Sequence, residues 1–539
     1  MKSPRSPLTA GLLLAPLLAG CFSSADGTSS AGSPDSGGGR RLRVALAFPP
    51  AQNFSPYGQD ALHLSRLGVA EGLTRLDANG TAVPALAESW SSEKAGRSWL
   101  FTLRDARFQD GGRVTAKAVA SALTQAAEAR PAPAALSGTR LTAQAAGDGR
   151  VRVSTGKADP VLPLRLSNPN LAVFSPKAYG EKGTVNPAGT ATGPFELTEI
   201  SGDTAATLDR FDDSWGGRAQ ALGIDARFVA DGTARANALR TGEVDIAEAV
   251  PVGQIASLDE KTVHETNTAR DTSLHLNTRT GVFADPAMRG AAREAVDTSV
   301  IAKDVYEGHA EPAQGLYGPA LTWASGKRNA PTGRVKAADP DGRSIRLATY
   351  DNRPELPEVA QVLQQQLRKA GFKVKLEVRD YSRLESDALA GRFDAVVLSR
   401  NTMLDTGDPV SVLASDFTCD SSYNLSLLCD KKADAAVAEA QAVSETDGRR
   451  NATMRAEAAI LGSDAVVPLV HLRVVTGIGP SVRGTVLDPY ERTFDRRIHL
   501  AGVRGRDLGR DRRGVRDRFR RRAVLPRRGV RGGTAGGGP

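Results

Sequence analysis

The six histidines, at positions 63, 264, 275, 309, 471 and 499, stand far apart, and no motif joins them to a nucleophile or to further metal ligands. The chain has no Gly-x-Ser-x-Gly elbow, no phosphate-cradling glycine loop, no HExxH and no CxxC. Its chemistry therefore reads as recognition rather than catalysis: no enzyme, no metal and no cofactor are expected. Of three cysteines, Cys21 lies near the amino terminus, while Cys419 and Cys429 lie ten residues apart. In an oxidising compartment such a pair reads as a disulfide closing a small loop. A metal site would need more ligands nearby, and no histidine falls between the two.

The compartment follows from the first forty residues. Lys2 and Arg5 precede an apolar stretch, Leu8 to Gly20, that is too short to span a bilayer and has the layout of a secretory signal. It ends in Leu17-Leu18-Ala19-Gly20-Cys21, which resembles the lipobox of bacterial lipoproteins, where cleavage precedes the cysteine and its thiol is acylated. Cys21 is the expected lipidation site, and each buried CH₂ of an acyl chain contributes about 0.8 kcal/mol of membrane affinity. Residues 22–40 are Ser/Gly-rich and read as a flexible tether. The expected location is the outer face of the cytoplasmic membrane, or the periplasm where a second membrane exists.

A net charge of +9 invites a nucleic-acid reading, but residues 503–539 hold thirteen Arg against three Asp. That tail carries +10, so the other 502 residues sum to −1 and no nucleic-acid partner is expected. With one aromatic residue and a Gly-rich end, the tail cannot build a packed core; it reads as disordered, and its abrupt composition suits out-of-frame translation. The rest is long enough, within 539 residues, to need more than one core.

The elements come in two α/β blocks. In the first, Arg43 to Phe48 reads as a strand, residues 115–129 as a helix, residues 130–190 as a weakly patterned β-rich insertion, and Ile224 to Ile246 as a β–α–β unit. In the second, Asp285-Pro286 opens a helix. Ile345, Leu347 and Thr349 alternate as a strand, Val359 to Leu367 follow helical spacing, and Gly371 leads into a strand at Phe372 to Val378. A third strand is expected at Phe393 to Leu398 and a helical stretch over 431–462.

Ordered strings along residues 42–501 resemble the peptide/nickel-type (family 5) extracellular solute-binding proteins of bacteria. They include Val69-Ala70-Glu71-Gly72-Leu73-Thr74, Val83-Pro84-Ala85-Leu86-Ala87-Glu88-Ser89-Trp90, Trp99 to Arg104, Thr192-Gly193-Pro194-Phe195 and Thr241-Gly242-Glu243-Val244-Asp245-Ile246. The resemblance implies an α/β, two-lobe periplasmic-binding-protein-like fold (type II, cluster C) with a small extra domain inserted in lobe one. The implied division is signal and lipobox 1–21, tether 22–40, lobe one 41–270, lobe two 271–475, return strands 476–502 and Arg-rich tail 503–539. Trp90 and Trp99 are read as β-face packing.

Within that family the segment 393–430 looks most like the dipeptide- and oligopeptide-binding members. Asp405-Thr406-Gly407-Asp408-Pro409 resembles their cleft segment, whose first acid meets the peptide α-ammonium; Asp405 takes that position, and Asp408 is a second expected contact. Asn352-Arg353-Pro354 resembles the segment whose Arg receives the peptide carboxylate, so Asn352 and Arg353 complete the expected ligand set. A fixed counter-charge is needed at each end, since an extracted ion is otherwise left without compensation for its lost hydration. These members usually carry Trp just before the cleft acid, whereas this chain reads Ser399-Arg400-Asn401-Thr402, so the aromatic wall is either missing or supplied from elsewhere, and the basic Arg400 would admit a more acidic ligand. The Cys419–Cys429 loop also matches a disulfide loop of those members.

The implied role is the substrate-binding component of an ABC importer: a monomer that captures short peptides and delivers them to a permease and its ATPase. A nickel chelate, an oligosaccharide, an opine or a signalling peptide would suit the same fold, because function resides in cleft contacts. A peptide hydrolase and a chaperone- or adhesin-like surface role are the remaining alternatives.

Overall fold

The structure, a computed structural model, describes residues 40–492 except 131, 137, 138, 352, 404, 405 and 422, together with residues 499 and 500. Cys21, Asn352, Asp405 and the Arg-rich tail lie outside the described residues.

Lobe one is built on the strand Leu42–Leu46, which runs parallel to Gly223–Phe228 on one side and to Ile246–Ala247 on the other. Its near-continuous apolar sequence suits a strand covered on both faces. The antiparallel pair Phe195–Ser201 and Ala205–Arg210 extends the sheet outward. The connecting helix Gly232–Arg240 starts at Asp231, whose carboxylate accepts the Ala234 N–H at 2.6 Å. Leu46, Phe54, Leu67 and Leu208 centre this core.

The inserted domain has a separate core in which Phe101, Val119, Leu123, Val151 and Val153 are inaccessible. Its antiparallel sheet runs Ala87–Glu93, Ser98–Leu103, Arg150–Thr155, Leu141–Ala145, and the helix Ala116–Glu128 packs on the last two. Thr115 caps that helix by accepting the Ala118 N–H. The β-rich expectation for 130–190 holds only as far as Thr155. Beyond it, prolines at 160, 163, 169, 176 and 187 leave short helical turns, because each lacks the N–H a ladder needs.

Lobe two contains the parallel strands Lys373–Arg379, Ser344–Tyr350 and Ala395–Asn401. The helix Glu355–Lys369 buries Leu356, Val359, Ala360, Leu363 and Leu367 against them. Each of these Leu and Val side chains contributes about 1.5–3 kcal/mol on burial. Gly371 follows with φ of 107°, a conformation that side chains rarely adopt. The helical stretch expected over 431–462 is two helices, Lys431–Ala442 and Thr446–Gly462, broken where Glu445 caps the second by accepting the Asp447 and Gly448 N–H groups. The helices Tyr381–Leu389 and Pro409–Phe417 were not read from the sequence.

Two long strands join the lobes. Val263–Leu276 pairs with Ala395–Asn401 of lobe two and, antiparallel, with Val466–Ile478, whose far end pairs with Ile246–Ala247 of lobe one. A single sheet therefore runs through both lobes. The mutual register shifts between Asn267 and Asp271 and again between Thr272 and Ser273, and bulges of this kind bend a strand pair. The expected lobe boundaries, 270/271 and 475/476, fall inside these two strands.

Past Ile478 the chain forms the strand Val482–Arg483, paired with His499–Leu500. In between, residues 486–492 pass through the gap between the lobes. The Pro489 carbonyl accepts the Ala269 N–H, Tyr490 is buried and donates to the Ala78 carbonyl, and Arg492 donates to the Met403 carbonyl. Among the described residues no helix is long and apolar enough to cross a membrane.

Candidate functional site

Arg353 stands at the junction of the strand Ser344–Tyr350 and the helix Glu355–Lys369, where Pro354 keeps the chain from continuing straight into the helix. Its side chain faces a small interlobe cavity of about 60 Å³ shared with Phe48, Arg66 and Glu248 of lobe one, Thr268 of the joining strand, and Glu491. The guanidinium carbon lies 5.8 Å from the centre of the Phe48 ring. Burial, and after it the nearby Arg270 charge, push the Arg353 pKa down from its ordinary value. Among the described residues no carboxylate lies at ion-pair distance from it. A desolvated guanidinium without a partner is matched by an incoming carboxylate.

The other guanidinium groups here are answered from within the protein. Arg270 meets Glu491 through two hydrogen bonds, Nε to Oε1 at 3.2 Å and Nη2 to Oε2 at 3.3 Å. Arg66 pairs with Glu248 and donates to the Glu491 carbonyl. Burial alone would raise the Glu491 pKa, but Arg270, Arg353 and Arg66 outweigh it and hold the carboxyl below its usual range. Glu491 is also held at φ of 58°, a left-handed conformation unusual for a residue with a side chain.

Next to Arg270, Asp271 is buried and accepts the Ser273 hydroxyl at 2.5 Å. Burial, reinforced by the Asp416 charge, pushes its pKa up to about 7 against the opposing pull of Ser273 and Arg400. Arg400, expected to admit a more acidic ligand, pairs with Asp416 at 3.0 Å and lies over the Tyr423 ring. Tyr423 in turn shares a hydroxyl hydrogen bond with Tyr381.

Asp408 departs from the expectation of a ligand contact. It opens the helix Pro409–Phe417, is buried, and its two oxygens receive Arg449 Nε at 3.0 Å and Nη2 at 2.5 Å. Arg449 Nη1 donates further to the carbonyls of Ala440, Gln441 and Val443. The carboxylate is thus taken up in closing one helix end against another. The Cys419 and Cys429 sulfurs stand at disulfide distance. Among the described residues no group of three or more His, Cys, Asp and Glu is arranged to hold a metal.

Arg66, Glu248, Arg270 and Glu491 were not foreseen. The one cue was Arg270-Asp271, adjacent unlike charges inside an otherwise strand-like run. Glu491 gave none, since Asp488-Pro489-Tyr490-Glu491 reads as an ordinary turn.

Two lobes joined by paired strands, with a charged cavity between them, define a solute-binding protein. Residues 81–424 match the model of the bacterial extracellular solute-binding proteins, family 5 (middle), and the chain belongs to that family. It is the substrate-binding component of an ABC transporter for peptide- or nickel-type substrates. Among its relatives is the nickel-binding protein NikA of Staphylococcus aureus, 27% identical over 376 residues, which are 67% of this chain and 74% of that protein. The dipeptide-binding protein DppE of Bacillus subtilis is 26% identical over 489 residues, 82% of this chain and 88% of that one. A dipeptide-binding protein of Pseudoalteromonas sp. SM9913, solved in complex with Met-Leu, superposes with a TM-score of 0.73 at 18% identity, covering 86% of this chain and all of the other. At that identity the superposition speaks for the fold.

Proposed function

We propose that this protein captures short peptides between its lobes, with Arg353 receiving the peptide carboxylate and Asp405 the α-ammonium, and hands them to a permease. The observation that carries the reading is Arg353: a half-buried guanidinium in the interlobe cavity with no carboxylate partner among the described residues. A peptide carboxylate meets that need, and closure of hinged lobes over the ligand shields the pair from water. The names of the relatives DppE and NikA support a peptide or a nickel chelate in this cavity. Asn352 adjoins the carboxylate end in this reading. The protein is further proposed to be a monomer anchored through a lipid on Cys21, with Cys419 and Cys429 joined as a disulfide.

Calorimetry with di- and tripeptides, nickel–histidine and oligosaccharides tests the reading. Short peptides should bind, and blocking either terminus should abolish binding. Asp405→Ala should weaken binding far more than Asp203→Ala, a change at an exposed acid in lobe one. Binding of nickel–histidine alone, or equal effects of the two substitutions, would reject it.

A further inference from the structure

Five large apolar side chains among the described residues stand well exposed, and two of them, Phe48 and Val486, line the cavity that holds Arg353. Phe48 follows the strand Leu42–Leu46, where Pro49 and Pro50 end further pairing, and it is 43% exposed. Val486 lies on the segment between the lobes and is 44% exposed, while Leu487 beside it packs against the core of lobe one. Neither Phe48 nor Val486 belongs to a core of either lobe or of the inserted domain. Both line the cavity and both reach water, so their apolar faces border its opening.

The cavity itself is small. About 60 Å³ holds a carboxylate at Arg353 but not the residue behind it, whose side chain then lies at the opening. The other charged groups lining the cavity are already answered: Arg66 by Glu248, Glu491 by Arg270, and the Asp488 carboxylate by the N–H groups of Tyr490 and Arg492. A charged side chain placed here would lose hydration without gaining a counter-charge. An apolar one would cover surface that Phe48 and Val486 now expose to water. The Arg353 guanidinium comes from lobe two, and the Phe48 ring, centred 5.8 Å from it, comes from lobe one. A residue offering both a carboxylate and an apolar side chain is therefore held from both lobes, which favours the closed state.

We propose that Phe48 and Val486 select the carboxyl-terminal residue of the bound peptide, favouring a large apolar side chain such as Leu, Met or Phe. The proposal rests on the peptide reading above and narrows its ligand class by the residue that carries the carboxylate.

Calorimetry on the whole protein compares trialanine with Ala-Ala-Leu, Leu-Ala-Ala and Ala-Ala-Lys. Ala-Ala-Leu should bind about fivefold tighter than trialanine or better, the gain expected from partly covering one leucine side chain, and Ala-Ala-Lys should show no such gain. The ratio of the Ala-Ala-Leu and trialanine affinities should fall towards one in Phe48→Ser and, separately, in Val486→Ser. Taking the ratio within each variant cancels any effect of the substitution on Arg353. Both positions are exposed, and melting temperatures equal to that of the parent chain would show that the variants fold. Equal binding of Ala-Ala-Leu and trialanine by the parent, equal binding of Ala-Ala-Leu and Ala-Ala-Lys, a ratio that survives both substitutions, or substitutions that act on Leu-Ala-Ala instead would overturn the selection while leaving peptide capture intact. If none of the four binds, peptide capture itself falls and the selection with it.

Discussion

Arg270 and Glu491, 221 residues apart in the chain, face each other across the junction of the lobes and make two hydrogen bonds. One sits on a strand that joins the lobes, the other on the segment that passes between them. Both are largely withdrawn from water, with 14% and 17% of their side-chain surface exposed. Removing either partner alone leaves the other buried and unmatched. Arg270→Met and Glu491→Gln should each cost about 3 kcal/mol in urea denaturation, and the double variant should lose clearly less than the two combined. Strict additivity would mean that the pair is not coupled.

Arg353 differs because its half-buried charge has no carboxylate at ion-pair distance among the described residues. Arg353→Ala should reduce affinity for unblocked dipeptides by tenfold or more, while the melting temperature of the ligand-free protein stays level or rises. A drop in stability with affinity intact would assign the residue to the scaffold.

Asp408 should show the reverse pattern. Asp408→Ala leaves Arg449 buried with two of its five side-chain hydrogen bonds and its counter-charge gone, and should cost about 3 kcal/mol of stability. Arg449→Met should cost a similar amount, and the loss should be non-additive in the double variant. A folded, fully stable Asp408→Ala protein that no longer binds ligand would contradict this assignment.

Asp271 predicts a pH dependence of definite sign. Its folded pKa of about 7 lies above that of an unfolded aspartate, so the folded state binds the proton more tightly. Its stabilising effect is complete below about pH 4 and is lost as the pH rises towards 7. His275, held down to about 3 by burial and then by Arg400, and His471, held down to about 4 by burial and then by Arg328, act in the opposite direction as the pH falls below about 6.5. Comparing Asp271→Asn with the parent chain cancels the histidine contributions. The variant should match the parent near pH 4 and gain on it up to pH 8, by an amount on the order of 4 kcal/mol. A stability difference that stays constant across that range would show that Asp271 titrates normally.

What could be read from the sequence was whatever depends on neighbours along the chain. The α/β blocks followed from apolar spacing, as at Val359, Leu363 and Leu367. Caps such as Thr115, Asp231 and Asp285 are local hydrogen bonds between a side chain and a backbone N–H two or three residues on. Arg353 was picked out because Asn352-Arg353-Pro354, between a strand end and a helix start, resembles the carboxylate-receiving segment of the dipeptide-binding members. The tertiary structure decided which charges remain available. Asp408 stands in the expected motif, yet Arg449, 41 residues away, takes up its carboxylate. Glu491 carries no mark in its own segment, whereas Trp90 and Trp99 pack against the core of the inserted domain as their strand positions suggested. An ion pair or a cavity wall depends on distance in space and on the water excluded there, and neither quantity exists until the lobes are assembled.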